Sequence, residues 1–163
     1  WEAYPTAQNE VLRLTQSQVG YSYRAVVSYI DSHGTREVLY TSPSETIDNL
    51  DDPVQGEVTI IGEPKEGITL RALSDSLSDE DGIASISISW ETSRDGRNWV
   101  GLNSLSGPIL PLNQTLVGSQ VRARVAVVDN FGIETNLYSQ ATRTVENVNN
   151  KPSGRIVIRR VGQ

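Results

Sequence analysis

The chain has 163 residues, a net charge of −6, a single His and neither Cys nor Met. Without Cys it can form no disulfide, thiolate nucleophile or zinc–cysteine site, and its acidic balance argues against nucleic acid and anionic membranes, since both require a basic patch. No apolar run approaches the ~20 residues of a membrane-spanning helix, and the absence of Met indicates a segment of a longer protein.

The sequence repeats itself with an offset of 98 residues. Aligning Trp1 with Trp99 and continuing without a gap to Ile60 and Ile158 gives seventeen identical pairs in sixty. A period of this length corresponds to a whole small domain and not to a solenoid unit of about 20–50 residues. We therefore expect three parts, namely the C-terminal part of one repeat (1–52), a complete repeat (53–150) and the first strand of a following repeat (151–163).

Short apolar runs separated by turn signals predict β-strands throughout, at the spacing typical of a sandwich. In chain order, the strands predicted for the complete repeat are 57–61, 68–73, 85–90, 99–102, 121–127 and 137–145. No segment has a sustained period of 3.6 residues with caps, so we expect no long helix. The fold class predicted is all-β, an antiparallel sandwich that is repeated in tandem.

Alternation along two of these strands predicts the core. Serines alternate with Ile86, Ile88 and Trp90, so these three should share one face, with Trp90 filling the core. The second strand should point Val121, Ala123, Val125 and Val127 inward, and the equivalent inward set in the first copy is Tyr23, Ala25, Val27 and Tyr29. The arginines between them, Arg122 and Arg124, should pair with acids on a neighbouring strand.

Three acidic or amide-rich segments are candidates for calcium, which binds several carboxylate and carbonyl oxygens. The first is the turn that contains Asp79 and Asp81, and the second is the joint with Asp51 and Asp52 near Asp48. The third is the joint with Asn147 and Asn149. For the turn, the alternative is a solvated acidic loop; for the joints, it is Asx-turn chemistry, in which the side chains bond their own backbone.

No pattern indicates catalysis. His33 is the only histidine and lies outside the complete repeat, so no Ser-His-Asp arrangement can form there. Nothing marks a cleft with paired carboxylates. Trp90 and Trp99 could stack a sugar, but packing is the better explanation for both, since Trp99 recurs as Trp1. We therefore expect a protein that is not an enzyme.

Several stretches carry a resemblance to a known group of proteins. They are Leu-Ser-Asp-Glu-Asp-Gly-Ile at 77–83, Ile-Ser-Trp at 88–90, Ser-Arg-Asp-Gly-Arg-Asn-Trp at 93–99, and Asn-Val-Asn-Asn-Lys-Pro at 147–152. Together they resemble the Ig-like (cadherin-like) repeats of large RTX-type bacterial surface adhesins and related secreted proteins. The resemblance implies an Ig-like sandwich outside the bacterial cell that serves as a spacer or binding arm, often stiffened by calcium at domain joints.

These observations lead to one functional hypothesis and two alternatives. The first is a structural or adhesive repeat that extends a distal domain from the cell, with neighbouring repeats of the same chain as its partners. The alternatives are a module that binds a glycan or protein through its loops, and an accessory domain of a secreted enzyme. We also expect the partial first repeat to pack on the complete one or to be completed by a strand of another chain, because unpaired strands expose edges.

Overall fold

The computed structural model describes residues 1–4 and 11–159, which divide into two units with the boundary between Pro53 and Val54. In the first unit, β1 (Val26–Ile30) pairs antiparallel with β2 (Arg36–Tyr40). A short 3-10 turn at Gln16–Gln18 precedes them.

The second unit consists of two antiparallel sheets. One sheet has three strands in the order β3-β4-β7, and the other has four in the order β6-β5-β8-β9. The strands are β3 (Thr59–Ile61), β4 (Thr69–Leu73), β5 (Ile83–Ser93), β6 (Val100–Ser106), β7 (Ile109–Pro111), β8 (Gln120–Asp129) and β9 (Glu134–Tyr138). A 3-10 turn, Gln114–Leu116, lies between β7 and β8. The prediction of an all-β fold is confirmed.

The core of the second unit lies between the two sheets, which makes the unit a sandwich. One cluster of buried side chains joins Leu70, Ala72 and Leu110 of the smaller sheet to Trp90 and the alternating residues of β8 in the larger sheet. Trp90 is completely buried, and its indole Nε1 donates a hydrogen bond of 3.0 Å to the carbonyl of Gly107. The bond satisfies the one polar atom of the ring, so the whole side chain can be buried.

The alternation predicted for β8 is confirmed, because Val121, Ala123, Val125 and Val127 are all buried. The prediction for β5 is confirmed for Trp90 but is only partly right for the two isoleucines. Ile88 is half-buried and Ile86 is 41% exposed. Ile86 therefore shares the alternation of β5 but is not part of the buried core.

The last strand differs most from its prediction. It was expected over residues 137–145, whereas β9 ends at Tyr138. Beyond it the chain still follows β8, but its backbone amides bond every third residue: Ser139 N to Ala123 O, Thr142 N to Val121 O and Val145 N to Ser119 O. The donors are three residues apart, whereas the acceptors are two residues apart. This segment is therefore not a regular β-strand, in which side chains alternate with a period of two.

The first unit makes the same local contacts 98 residues earlier. Its backbone amides bond in the same irregular pattern beyond β2: Thr41 N to Ala25 O, Ser44 N to Tyr23 O and Ile47 N to Tyr21 O. Its 3-10 turn at Gln16–Gln18 corresponds to Gln114–Leu116, and β1 and β2 correspond to the second half of β8 and to β9. These stretches of the two units, 16–18 with 114–116 and 26–47 with 124–145, thus have equivalent local structures.

Burial differs between the two units. The inward set expected in the first unit is wrong in this respect, because Ala25 is exposed and Val27 and Tyr29 are 54% and 49% exposed. Their counterparts Ala123, Val125 and Val127 are covered by the β3-β4-β7 sheet. The described residues of the first unit contain only the β1-β2 sheet, so alternation there marks a face that no second sheet covers.

Residues 151–159 contain no helix or strand, and Ile156 and Ile158 are almost fully exposed. At the offset of 98 they correspond to residues 53–61, which end with β3. The prediction that 151–163 is the first strand of a following repeat includes residues outside the described ones, and it stays a prediction.

Candidate metal centre

Two buried carboxylates meet at one end of the larger sheet of the second unit. Asp129 is the last residue of β8, and Asp81 lies in the turn just before β5. Because β5 and β8 pair with Ile83 opposite Asp129, the sheet register brings the two acids together. Each offers a carboxylate oxygen within 4.8 Å of the other's, and their residues are only 5% and 4% exposed.

Asp129 uses only one of its two carboxylate oxygens in the surrounding turn. Its Oδ1 accepts hydrogen bonds from the backbone amides of Phe131 (2.9 Å) and Ile133 (2.8 Å). Its Oδ2 is buried and has no hydrogen-bond partner among the described residues. A buried acceptor without a partner costs roughly 1–3 kcal/mol, and more when it is charged. The turn therefore holds this oxygen next to Asp81 at a cost that a bound cation would offset.

The turn before β5 is organised by Asp79. Its Oδ1 accepts a hydrogen bond from the backbone amide of Asp81 (2.8 Å), and its carbonyl accepts one from Gly82 (3.0 Å). Gly82 has a φ of +79°, a conformation that favours glycine. Its Cα also faces the side chain of Asn130, so a Cβ there would lie 2.2 Å from Asn130 Nδ2. The two turns that carry Asp81 and Asp129 are therefore in direct contact.

The structure gives the predicted calcium residues different settings. Asp81 belongs to the buried pair, whereas Asp79 holds the turn with one oxygen, an Asx-type role that was considered above for the joints but not for this turn. In the first unit Asp51 is exposed and Asp52 is half-buried. Asn147 and Asn149 are exposed, and the side-chain amide of Gln114 lies 3.4 Å from Asn147 Oδ1. Metal binding by Asp51, Asp52, Asn147 and Asn149 stays a prediction.

Sequence reasoning missed Asp129, although a signal for it was present. Asp31 and Asp129 are an identical pair, each followed three residues later by Gly34 or Gly132. In the first unit Asp31 Oδ1 accepts bonds from His33 N (2.9 Å) and Thr35 N (2.8 Å), just as Asp129 does from its own turn. The recurrence of this turn marks Asp129 as a positioned carboxylate.

The chemistry of this pair suits a hard divalent cation. Asp81 and Asp129 are oxygen donors, and the second unit has no His or Cys that could select zinc. Calcium takes six to eight oxygens, from carboxylates, backbone carbonyls and water. Two carboxylates supply the negative charge of such a site and part of its ligands.

A second polar cluster lies on the opposite face of β8 from the core. The Arg122 guanidinium carbon is 4.3 Å from the ring centres of both Trp99 and Tyr138, and the guanidinium forms a salt bridge of 2.7 Å with Glu91 on β5. The prediction that Arg122 pairs with an acid of a neighbouring strand is confirmed. Arg124 instead donates from Nε to Asn136 Oδ1 at 3.0 Å.

The arginine cluster recurs in the first unit. The Arg24 guanidinium carbon lies 4.4 Å from the Trp1 ring centre and 4.6 Å from that of Tyr40. In both units the arginine occupies one face of the tryptophan ring, a face that is then not free to stack on a sugar. This contact favours the structural explanation of Trp99 over a role in carbohydrate binding.

The hairpin that joins β5 and β6 is organised by Asp95. Its carboxylate accepts backbone hydrogen bonds from Asn98 (2.8 Å) and Arg97 (2.9 Å), as well as bonds from the side chains of Asn98 and Ser93. The backbone bonds are the main reason that the pKa of Asp95 is lowered well below its ordinary value. The carboxylate is therefore a structural element of this turn.

No helix within residues 1–4 and 11–159 is long and apolar enough to cross a membrane. Comparisons with protein families, with curated proteins and with solved structures gave no match to this chain.

Proposed function

We propose that this chain is a non-catalytic structural segment of a large bacterial surface or secreted protein, in which Ig-like units follow one another in tandem and extend a distal domain. The observation that supports this most strongly is the recurrence of contacts at an offset of 98. The arginine between Trp and Tyr rings, the Asp turn and the irregular bonding after the last strand all occur twice.

Recurrence of this kind supports a structural role because the contacts that occur in both units are packing contacts and not those of a reactive centre. The residues that recur are those that hold a strand pair and its turns together. A unit repeated in this way gives a protein whose length grows with the number of copies. The joints contain Pro53 and Pro152, and proline restricts both itself and the preceding residue to extended geometry.

Calcium is the cofactor that best fits the buried carboxylate pair of the second unit. Asp81 and Asp129 would provide two carboxylate ligands, and a cation would give a partner to the Oδ2 of Asp129, which has no hydrogen-bond partner among the described residues. Asp51 and Asp52 stay candidates on sequence grounds, since they precede the second unit by a few residues. A bound calcium ion would neutralise the buried charge and fix the two turns.

Thermal unfolding of the complete 163-residue chain, in EDTA and in millimolar calcium, tests this proposal. We expect calcium to raise the melting temperature, and magnesium to do so less, because magnesium demands a strict octahedral shell of shorter bonds. A glycan array probed with the same protein tests the competing role. Glycan binding that is lost in Trp99→Ala, together with no effect of calcium, would show that the segment is a binding module.

A further inference from the structure

The β1-β2 sheet of the first unit has an edge that its counterpart in the second unit does not have. There β8 lies between β9 on one side and β5 on the other, in the order β6-β5-β8-β9. At the offset of 98, β1 corresponds to residues 124–128 of β8, and β2 corresponds to β9. Within the described residues, β1 pairs only with β2, so the edge equivalent to the β5 side of β8 is open.

Four of the five residues of β1 have large hydrophobic side chains that are exposed. Val26, Val27, Tyr29 and Ile30 are between 49% and 72% exposed. A strand with unpaired backbone groups and apolar side chains is a template for pairing with another strand. The proteins that recognise peptides by strand addition use the same kind of edge, with backbone bonds for affinity and alternate side chains for specificity.

We propose that this edge of β1 binds an antiparallel strand that has the residue pattern of β5. The inference rests on the recurrence of contacts in the two units and is independent of the extender role and of calcium. The pairing of β5 with β8 gives the register when it is moved back by 98 residues: Ile86 opposite Tyr29, Ile88 opposite Val27, and Trp90 opposite Ala25.

Charge complementarity supports this occupant. In the second unit Arg122 contacts two aromatic rings and also forms a salt bridge of 2.7 Å with Glu91 of β5. In the first unit Arg24 contacts the equivalent rings of Trp1 and Tyr40. In the register above, the glutamate of a β5-type strand lies opposite Arg24, so the incoming strand would supply the anion that Glu91 supplies to Arg122.

A synthetic peptide with the sequence of Ile83–Ser93, labelled with a fluorophore, tests this inference on the complete chain in EDTA. We expect saturable binding, and hydrogen exchange should show new protection of the Val26–Ile30 amides. A control peptide of the same composition exchanges Ile86 with Ser87 and Ile88 with Ser89, which moves the isoleucines to the other face. It should bind at least about tenfold more weakly, because a shift of one residue turns the apolar set away from the core side.

Three variants make the test specific to the register. A peptide with Glu91→Gln should bind up to about fivefold more weakly, as expected for the loss of one partly exposed ion pair. The same peptide change should have no effect on the Arg24→Met protein, where the partner is already absent. The Val27→Lys protein should lose peptide binding, and its circular dichroism should stay unchanged because this side chain is exposed in the chain without peptide.

Four results would overturn the inference. They are equal binding of both peptides, new protection at Gln120–Asp129 in place of β1, an effect of Glu91→Gln that persists in Arg24→Met, and a concentration-dependent dimer that already protects β1 without peptide. The last result, measured by light scattering, would mean that a second copy occupies the edge. Because the experiment is done in EDTA, its outcome is separate from that of the calcium titration.

Discussion

The guanidinium of Arg122 lies against the ring of Trp99, with 4.3 Å from Cζ to the ring centre, and the ring of Tyr138 lies at the same distance. The same contact joins Arg24 to Trp1 in the first unit, at 4.4 Å. Each of these residues is identical to its counterpart at the offset of 98. The contact between Arg and Trp is therefore a structural feature that the two units share, and it is not specific to one of them.

Replacing Arg122 by Met should lower the free energy of unfolding by about 1–2 kcal/mol, since it removes two cation–π contacts and one partly buried ion pair. Arg122→Lys should recover only part of this loss, because an ammonium cannot stack as a planar guanidinium does. Urea unfolding followed by tryptophan fluorescence measures both. The matched variant Arg24→Met should cost less, because within residues 1–4 and 11–159 Arg24 has the two ring contacts and no ion pair. An equal or larger cost would contradict this assignment.

Trp90 should be the most sensitive position of the core. Trp90→Ala removes a completely buried indole and should destabilise the second unit by about 3–5 kcal/mol. Trp90→Phe keeps most of the apolar contact but leaves the Gly107 carbonyl without its donor, and we expect a smaller loss of about 1–2 kcal/mol. Chemical unfolding of both variants against Trp99→Phe, a half-buried position, checks the order.

The calcium response should depend on the two buried carboxylates. In Asp129→Asn or Asp81→Asn the rise in melting temperature with calcium should be lost, because each change removes a charged ligand. Asp79→Asn removes a charge from the same turn, but its side-chain oxygen can still accept the hydrogen bond from the backbone amide of Asp81. The calcium response of this variant should therefore persist. Calorimetry with and without calcium provides the measurement. A response lost in Asp79→Asn and retained in Asp129→Asn would place the ion elsewhere.

Asp51→Asn, measured in the same series, tests the ligand proposed at the first joint. If Asp51 contributes a carboxylate, this variant should need a higher calcium concentration to reach the same melting temperature. An unchanged calcium dependence would remove Asp51 from the calcium candidates of the first joint, and it would leave the assignment of Asp81 and Asp129 intact.

Asp95 should contribute a pH-dependent part of the stability. Its pKa is lower in the folded chain than in the unfolded one, so its contribution is fully present above the ordinary carboxyl pKa of about 4 and is lost as the pH falls toward the folded value. Asp95→Asn should therefore be less stable than the unmodified chain at neutral pH, and the difference should shrink below about pH 4. Urea midpoints measured from neutral to acidic pH test this; a difference that grows on acidification would contradict it.

The fold was predictable where a strand has one buried face. The strict alternation in 121–127 identified β8 and its inward residues, and Ser-Ile alternation identified β5, because a period of two is what a half-buried strand requires. The limits of strands were less predictable. β5 runs from Ile83 to Ser93, which is longer than predicted, and β9 ends earlier than predicted, at Tyr138. These limits are set by hydrogen bonds to β8 and not by the local residue type.

The candidate site was only partly predictable, for a different reason. The acidic turn with Asp79 and Asp81 could be found because carboxylates adjacent in sequence are visible as a cluster. Asp129 lies far along the chain from that turn and comes close only through the pairing of β5 with β8. The aromatic partners of Arg122 were missed in the same way, because Trp99 lies just before β6 and Tyr138 at the end of β9, and only the sheet brings them to β8.

The measurement that tests the central proposal most directly is the length of the protein as a function of copy number. Chains that carry additional copies of residues 53–150, inserted between Asn150 and Lys151, can be compared by small-angle X-ray scattering in calcium. If the unit is an element of an extended scaffold, the maximum dimension should increase by the same amount with each inserted copy. A maximum dimension that levels off as copies are added would mean that the units collapse on one another, and the proposed function would be wrong.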